Sequence, residues 1–585
     1  MEIHRVLIAV VLSLGVLILW NFLFPPAPPP QRTTADDPAM ERSMEKDERQ
    51  VHREDFPDLV PRDSRQFEAM DGRQIMVETP LYQATFNTSG GVLEHFVLTQ
   101  YKQTIDPDSP SIDLITPRSL MRGPMGITWN RAETWLEGEW SSEGTDLIVG
   151  PGEEKTLTFM GRIGGIEIIR HMTFLADTYE IHEELEVVNT TESQISGELA
   201  NILATPAFSD DRFNPTRVSY FDYSGLSHER DKQLREGFVH QNGLKWSGIG
   251  NFYFLLAFVP EDPYEATLRA ELENEIYRIA VSQNLYIEPG MARYMANTYY
   301  IGPKDREYLL DAPAELVRAI YYGWFNVVSK PLIISLNFFH SHTGNYGVAI
   351  LLLTLVIKII FWPLAQKSYK SMNQLKKLQP MMAKIRERYK DDRQKMNEEM
   401  MRLYKTYKVN PAGGCLPILV QIPVFIALYQ GLMGAVELRH AAFIYFLPFT
   451  EIVWLADLSA RDPFYITPLV MGATMFLQQK MAPAPGDPLQ AKIMLFLPLV
   501  FIFIFITFPS GLVLYWLANN VLSIGQQWWV LRSVDNKPLV KAVQNDNEED
   551  SEDKDETAPA KADSKKSQKP KKSPAVKSVR KRRKK

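Results

Sequence analysis

A chain of 585 residues carrying a net charge of −6 has room for several domains, and its single cysteine, Cys415, excludes an intramolecular disulfide and a cysteine metal cluster. The mean hydropathy of −0.19 averages long apolar runs with very polar arms. Charge is unevenly spread: Pro363 to Leu416 holds 13 Lys/Arg against 5 Asp/Glu, and Thr557 to Lys585 holds 13 against Asp563 alone. Basic islands beside apolar runs mark a membrane protein with a defined sidedness.

Residues 1–24 place His4 and Arg5 before VLIAVVLSLGVLILWNFLF. The run is long for a signal core, and Asn21 to Pro25 is no small-x-small cleavage site. An uncleaved anchor with its N-terminus inside is expected. Residues 25–59 begin PPAPPP and continue charged and poor in apolar residues, a composition that predicts a disordered linker.

Over 60–312 the hydrophobic period becomes two. QIMVETPLYQATFN, EKTLTFMGR, IEIIRHMTF and YEIHEELEVVN alternate apolar and polar residues, and NTSGG (Asn87 to Gly91) and GRIGG (Gly161 to Gly165) read as turns. Many short strands without long helices between them predict a large β-sandwich. His171 and His182 read as ordinary sheet residues, and Asp210–Asp211 lacks catalytic spacing, so no chemistry is assigned to this domain.

Residues 315–342 change to helical spacing, with Asn326, Lys330, Asn337 and His340 on one stripe. That pattern predicts an interfacial amphipathic helix, kinked or broken at Pro331. His340 and His342 read as interfacial residues rather than metal ligands.

Residues 343–363 form a span, YGVAILLLTLVIKIIFWP from Tyr346 to Pro363, with Lys358 inside it. At 1.5 Å per residue Lys358 lies roughly 18 Å in from Tyr346, past the midplane of a ~30 Å core. A charge there costs on the order of 2.5–3.5 kcal/mol on insertion scales. Either Lys358 snorkels to the interface or it faces a wet cavity in a helix bundle; the polar residues of the later runs favour the cavity, with water as its partner.

Residues 364–415 repeat Met372, Leu375, Met382, Ile385 and Tyr389, then Met396, Met400, Leu403 and Tyr407, about Asp391–Asp392. This predicts an antiparallel helical hairpin with a Met-rich seam, cytoplasmic by its Lys/Arg excess. Residues 416–531 hold four more apolar runs, two of them short. The total is six transmembrane spans, five in the core bundle, with both termini cytoplasmic and the strand-rich domain outside. The short runs predict a locally thinned bilayer or incomplete crossings.

Polar residues recur inside these runs: Thr354 one turn from Lys358, Gln421, and Asn519, Asn520 and Ser523 with Tyr515 and Trp516 beside them. Singly each could be helix–helix glue; together with Lys358 they would line a groove open to the cytoplasm. Residues 532–585 turn acidic and then end KKSQKPKKSPAVKSVRKRRKK, a tail expected to be disordered and to bind a polyanion, either a lipid surface or a ribosome.

VNPAGGCLPILVQIPVFIALY, MGAVELR, DPFYITPLVMG and FPSGLVLYWLANN together resemble the signature runs of the YidC insertases, relatives of the mitochondrial oxidase-assembly and chloroplast Albino proteins. NTSGG and KWSGIGNFYFLLAFVP resemble the outer domain of the Gram-negative form more loosely. The resemblance implies a multi-pass α-helical inner-membrane protein with a periplasmic β-supersandwich. It implies insertion of nascent membrane proteins, alone or with the Sec translocon, through a hydrophilic groove. It places Lys358 at the family's groove cation, where many relatives carry Arg, and Thr354, Gln421 and Tyr515 at groove or substrate-contact positions. Trp516 stands where relatives often have Tyr. Ribosome and anionic-lipid contacts through hairpin and tail are further expectations. No cofactor, metal, small-molecule substrate or enzymatic activity is expected, and no Walker-type GxxxxGK[ST] or HExxH occurs. The alternatives weighed are a membrane-anchored glycan-binding or glycan-processing protein and a small-solute transporter.

Overall fold

The computed structural model describes residues 72–534, apart from 107, 210–213, 321, 324, 408, 411–415 and 482–487. The anchor and linker expected over 1–59, the Asp210–Asp211 pair and the tail beyond 534 lie outside the described residues.

Alternation in the sequence becomes alternation of burial. Ile166–Leu175 buries every second side chain and pairs in antiparallel register with Glu154–Ile163 on one side and Glu180–Asn189 on the other. These strands belong to a nine-stranded sheet, which stands with a six-stranded and a five-stranded sheet. The buried phase of Ile166–Leu175 reads Ile166, Ile168, Arg170, Met172, Phe174.

Arg170, fully buried, knits the sheets together. Its Nε and Nη2 donate to Glu183 Oε1 at 2.9 and 2.6 Å, Nη1 to the Gly90 carbonyl at 2.6 Å and Nη2 to the Met125 carbonyl at 2.8 Å. Glu183 Oε2 accepts from Asn201 Nδ2 at 2.7 Å. A desolvated ion pair holds only when its remaining donors and lone pairs are satisfied, as they are here. Gly90 is fixed by this arrangement: its φ is +79°, and a Cβ would stand 2.7 Å from the Trp135 Cβ.

Buried Leu309, Leu316 and Ile320 carry one continuous apolar core from the sheets to Leu336, Ile350 and Leu432 of the helices. Among the described residues seven α-helices follow: α1 (Asn326–Thr343), α2 (Tyr346–Arg388), α3 (Arg393–Thr406), α4 (Leu416–Gly434), α5 (Ile466–Met481), α6 (Pro488–Phe505) and α7 (Ser510–Val534). The helical stretch expected from residue 315 begins at 326, because Pro313–Ala319 forms a 3₁₀ turn with positive φ at Ala314 and Glu315. Pro331 does not break α1; it forfeits one backbone bond inside an otherwise continuous helix. Ser329, Ile333 and Leu336 face inward, while Val327, Ile334 and Phe338 are exposed on a separate apolar stripe.

Among the described residues α2 alone is by itself long and apolar enough to cross a membrane. Around it, Leu355, Val356, Ile359 and Ile360 on α2 and Phe496, Leu499, Val500, Phe503 and Ile504 on α6 are exposed. Contiguous exposed apolar faces of this kind are foreign to a water-facing surface. α2 continues past Pro363 and Pro380, and α3 folds back along its end. Leu378, Met382 and Val409 are buried there against Leu375, Met381, Met400, Leu403, Tyr404 and Tyr407. Of the expected seam, Ile385, Tyr389 and Met396 lie nearer the Asp391–Asp392 tip and outside this packed cluster among the described residues, and Met372 packs instead with Ala365, Tyr369 and Val530.

Candidate functional site

The site is built on α7, whose polar residues fall three or four apart. Asn519, Ser523 and Gln526 share one face, and Asn520 and Gln527 run beside them. All five are buried. α7 packs against both α2 and α5, so buried polar groups on this face must find partners on those helices.

Lys358 of α2 is half-buried and its Nζ donates to Ser523 Oγ at 2.6 Å. Ser523 Oγ in turn donates to the Asn519 carbonyl at 2.7 Å, which fixes its lone pairs toward the lysine. Gln421 of α4 donates through Nε2 to Asn519 Oδ1. Asn520 Nδ2 donates to Thr474 Oγ1 of α5 at 3.4 Å. α7 is thus tied to three helices through Asn519, Asn520 and Ser523. No carboxylate acts on Lys358 among the described residues; the ammonium donates to a neutral hydroxyl.

The other expected residues fall in different surroundings. Thr354 is fully buried one turn before Lys358, and its hydroxyl donates back to the Ile350 carbonyl at 2.7 Å. Tyr515 is fully buried; its hydroxyl interacts with Gln421 without a well-formed hydrogen bond. Trp516 packs edge-on to Phe425 at 4.7 Å and near-parallel to Phe501 at 5.9 Å, and its Nε1–H has no partner among the described residues. Tyr515 and Trp516 therefore stand at the apolar margin of the polar chain.

Sequence reasoning missed Thr474, Gln526 and Gln527. Gln526 Nε2 reaches the Trp362 carbonyl at 3.4 Å, extending the α7–α2 seam toward the hairpin. For Gln526 and Gln527 the signal was available as the i+7 spacing from Asn519 and Asn520.

The bundle meets the sheets at a loop after α4. Arg439 donates through Nη1 to the Lys102 carbonyl at 2.7 Å and through Nη2 to the Gln103 carbonyl at 3.0 Å, with its guanidinium over the Phe254 ring. Two residues earlier, Glu437 accepts from Asn337 Nδ2 at 3.5 Å. Burial pushes its carboxyl up to about 7, and Asp305 nearby adds to the rise.

Comparison with known proteins agrees with this division. The family model described as YidC periplasmic domain matches residues 74–335, and the one described as 60Kd inner membrane protein matches residues 338–537. The membrane protein insertase YidC of Maridesulfovibrio salexigens is 50% identical over 544 residues, covering 92% of this chain and 100% of the relative. Its counterpart in Nitratidesulfovibrio vulgaris (strain Miyazaki F) is 47% identical over 544 residues, covering 91% and 100%. A crystal structure of an active YidC insertase with its first transmembrane domain resolved aligns over 78% of this chain and 92% of that one, at 20% identity and a TM-score of 0.36. With half its residues shared across nearly the whole length of a curated insertase, the chain belongs to the YidC family of membrane protein insertases.

Proposed function

We propose that the chain inserts nascent membrane proteins by lending a counter-charge partway across the bilayer. An incoming single-span protein has an acidic or polar segment that must cross hydrocarbon. Lys358, presented by Ser523 beside Asn519 and Gln421, would receive that segment from a groove open to cytoplasm and lipid. Asn520, Thr354, Tyr515 and Trp516 complete the groove's wall. The apolar segment then slides along exposed faces such as Ile359 and Ile360 into lipid, where burial of its surface drives release. The work is physical transfer, with no covalent step.

This reading takes the topology as six spans, five of them in the bundle, with both termini and the α2–α3 hairpin cytoplasmic and the sheets periplasmic. At 16 and 18 residues, α5 and α6 reach about 24 and 27 Å, short of a ~30 Å core, so the bilayer thins beside them. The Sec translocon is a working partner in this scheme. The basic hairpin and tail meet ribosomes and anionic lipids.

The observation that carries the proposal is the Lys358–Ser523 contact: a cation within an apolar helix, held by a hydroxyl rather than neutralised by a carboxylate. The test places a photocrosslinking amino acid at Ile357 or Phe361 and presents a ribosome-stalled chain with an acidic leading segment. Crosslinks to that segment are expected from both positions. Crosslinks confined to outward positions such as Phe496, with none beside Lys358, would overturn the groove.

A further inference from the structure

The periplasmic sheets hold a cationic cluster of their own. In the nine-stranded sheet, Arg217 stands opposite Gly250, and Ser219 stands opposite both Gly248 and His228. Directly opposed residues of a ladder share a face, so Arg217, Ser219 and His228 project over a floor made by two glycines. Lys304, next to the strand that ends at Pro303, lies across the same floor: its Cε is 3.3 Å from where a Gly250 Cβ would stand. A side chain at Gly250 would fill the space that Lys304 enters.

No carboxylate acts on Lys304 among the described residues. Lys304 is 7% exposed, and no ion pair holds its ammonium among the described residues. Half-buried Arg217 likewise has no ion pair there, and Lys304 and Arg217 both act repulsively on His228. Burial and Arg217 together push the Lys304 amine down to about 7. Burying cations side by side without a carboxylate is costly unless something anionic joins them.

We propose that Arg217, Lys304, Ser219 and His228 form a binding site for one small phosphate-type oxyanion. Arg217 offers a two-pronged donor, Lys304 a point charge, and Ser219 and His228, already bonded to each other at 2.7 Å, polar edges for the remaining oxygens. Near-complete enclosure of Lys304 limits the ligand to a small group and excludes an extended acidic chain. The Lys304 amide donates to the Tyr253 carbonyl at 2.7 Å, and the neighbouring Phe254 ring carries Arg439 of the helical part. The site therefore sits close to the membrane-facing end of the sheets. The phosphate could be the free ion or a lipid headgroup.

The experiment measures binding of radiolabelled orthophosphate by equilibrium dialysis to the full-length protein in phospholipid-free detergent. Saturable binding is expected in the wild type and at least about tenfold weaker binding in Lys304→Met and, separately, in Arg217→Gln, since each removes a charge-assisted bond. Lys304→Met replaces an unpaired buried cation with an apolar chain of similar length, and its melting temperature should equal or exceed that of the wild type. Arg217→Gln, at a half-buried position, covers the case in which Lys304→Met misfolds. Lys155→Met, at an exposed strand position, should bind like the wild type. Added phosphatidylglycerol separates the sources: displaced orthophosphate assigns a headgroup, retained orthophosphate the free ion. Absence of saturable binding in the wild type, or wild-type binding in both folded variants, would overturn the site.

Discussion

Lys358 and Ser523 are 165 residues apart in sequence and 2.6 Å apart at their polar atoms. The contact makes α7 the direct support of the Lys358 ammonium. A hydrogen bond to a charged donor contributes about 1.5–3 kcal/mol, whereas neutral interhelical bonds in lipid average about 0.6 kcal/mol. Ser523→Ala should therefore destabilise the full-length protein in detergent clearly more than Asn520→Ala, whose bond to Thr474 is neutral and long at 3.4 Å. Thermal unfolding of the two variants gives the comparison. Equal losses, or a larger loss for Asn520→Ala, would mean that Lys358 does not draw on Ser523.

Breaking the buried pair between the sheets should cost more. Arg170→Met leaves Glu183 buried without its ion-pair partner, and strips the Gly90 and Met125 carbonyls of their donor. Removing one partner of such a pair typically costs about 3–5 kcal/mol. The double variant Arg170→Met/Glu183→Leu should recover part of that loss, and denaturant unfolding followed by tryptophan fluorescence measures both. A double variant less stable than Arg170→Met would show that the remaining partners of Glu183, rather than its unpaired charge, set the cost.

How far the sequence carries differs between the two places. Strand alternation was legible because one face of each strand is buried, and Arg170 lies in the buried phase with Ile168, Met172 and Phe174 as its one charge. Its partner was not legible, since Glu183 reads like any polar strand residue until the strands are paired. Lys358 was legible as the one charge in its run. Ser523 was noted but its role was hidden, because the rotation of α7 against α2 is set by tertiary packing. The true start of α1 was obscured by Pro313–Ala319, whose helical composition closes into a 3₁₀ turn under the sheets.

The junction between sheets and helices should respond to pH. Glu437 has a folded value raised to about 7 from 4.5. Between those values the folded chain binds the extra proton, so this group's contribution is fully present below pH 4.5 and is lost as pH rises through 7. Glu437→Gln should remove that part of the slope. The wild-type-minus-variant difference in melting temperature should fall across the window; a flat or rising difference contradicts the assignment.

Arg439 should govern how firmly the two parts hold together. Arg439→Gln loses the paired bonds to the Lys102 and Gln103 carbonyls and the contact with the Phe254 ring. Distances between spin labels at exposed Tyr286 and His342 should broaden in the variant while each part keeps its own melting behaviour. An unchanged distribution would mean that the apolar contacts through Leu316 and Ile320 suffice.

Counter-charging by Lys358 is tested most directly by exchanging its sign. Two single-span substrates, identical except for an acidic or a basic translocated tail, are inserted by the wild type and by Lys358→Glu, and tail translocation is scored by protease protection. The account predicts that Lys358→Glu loses the acidic-tailed substrate by about tenfold or more, as expected for an electrostatic difference above 1.4 kcal/mol, while the basic-tailed substrate is spared. Full insertion of the acidic-tailed substrate by Lys358→Glu would contradict it.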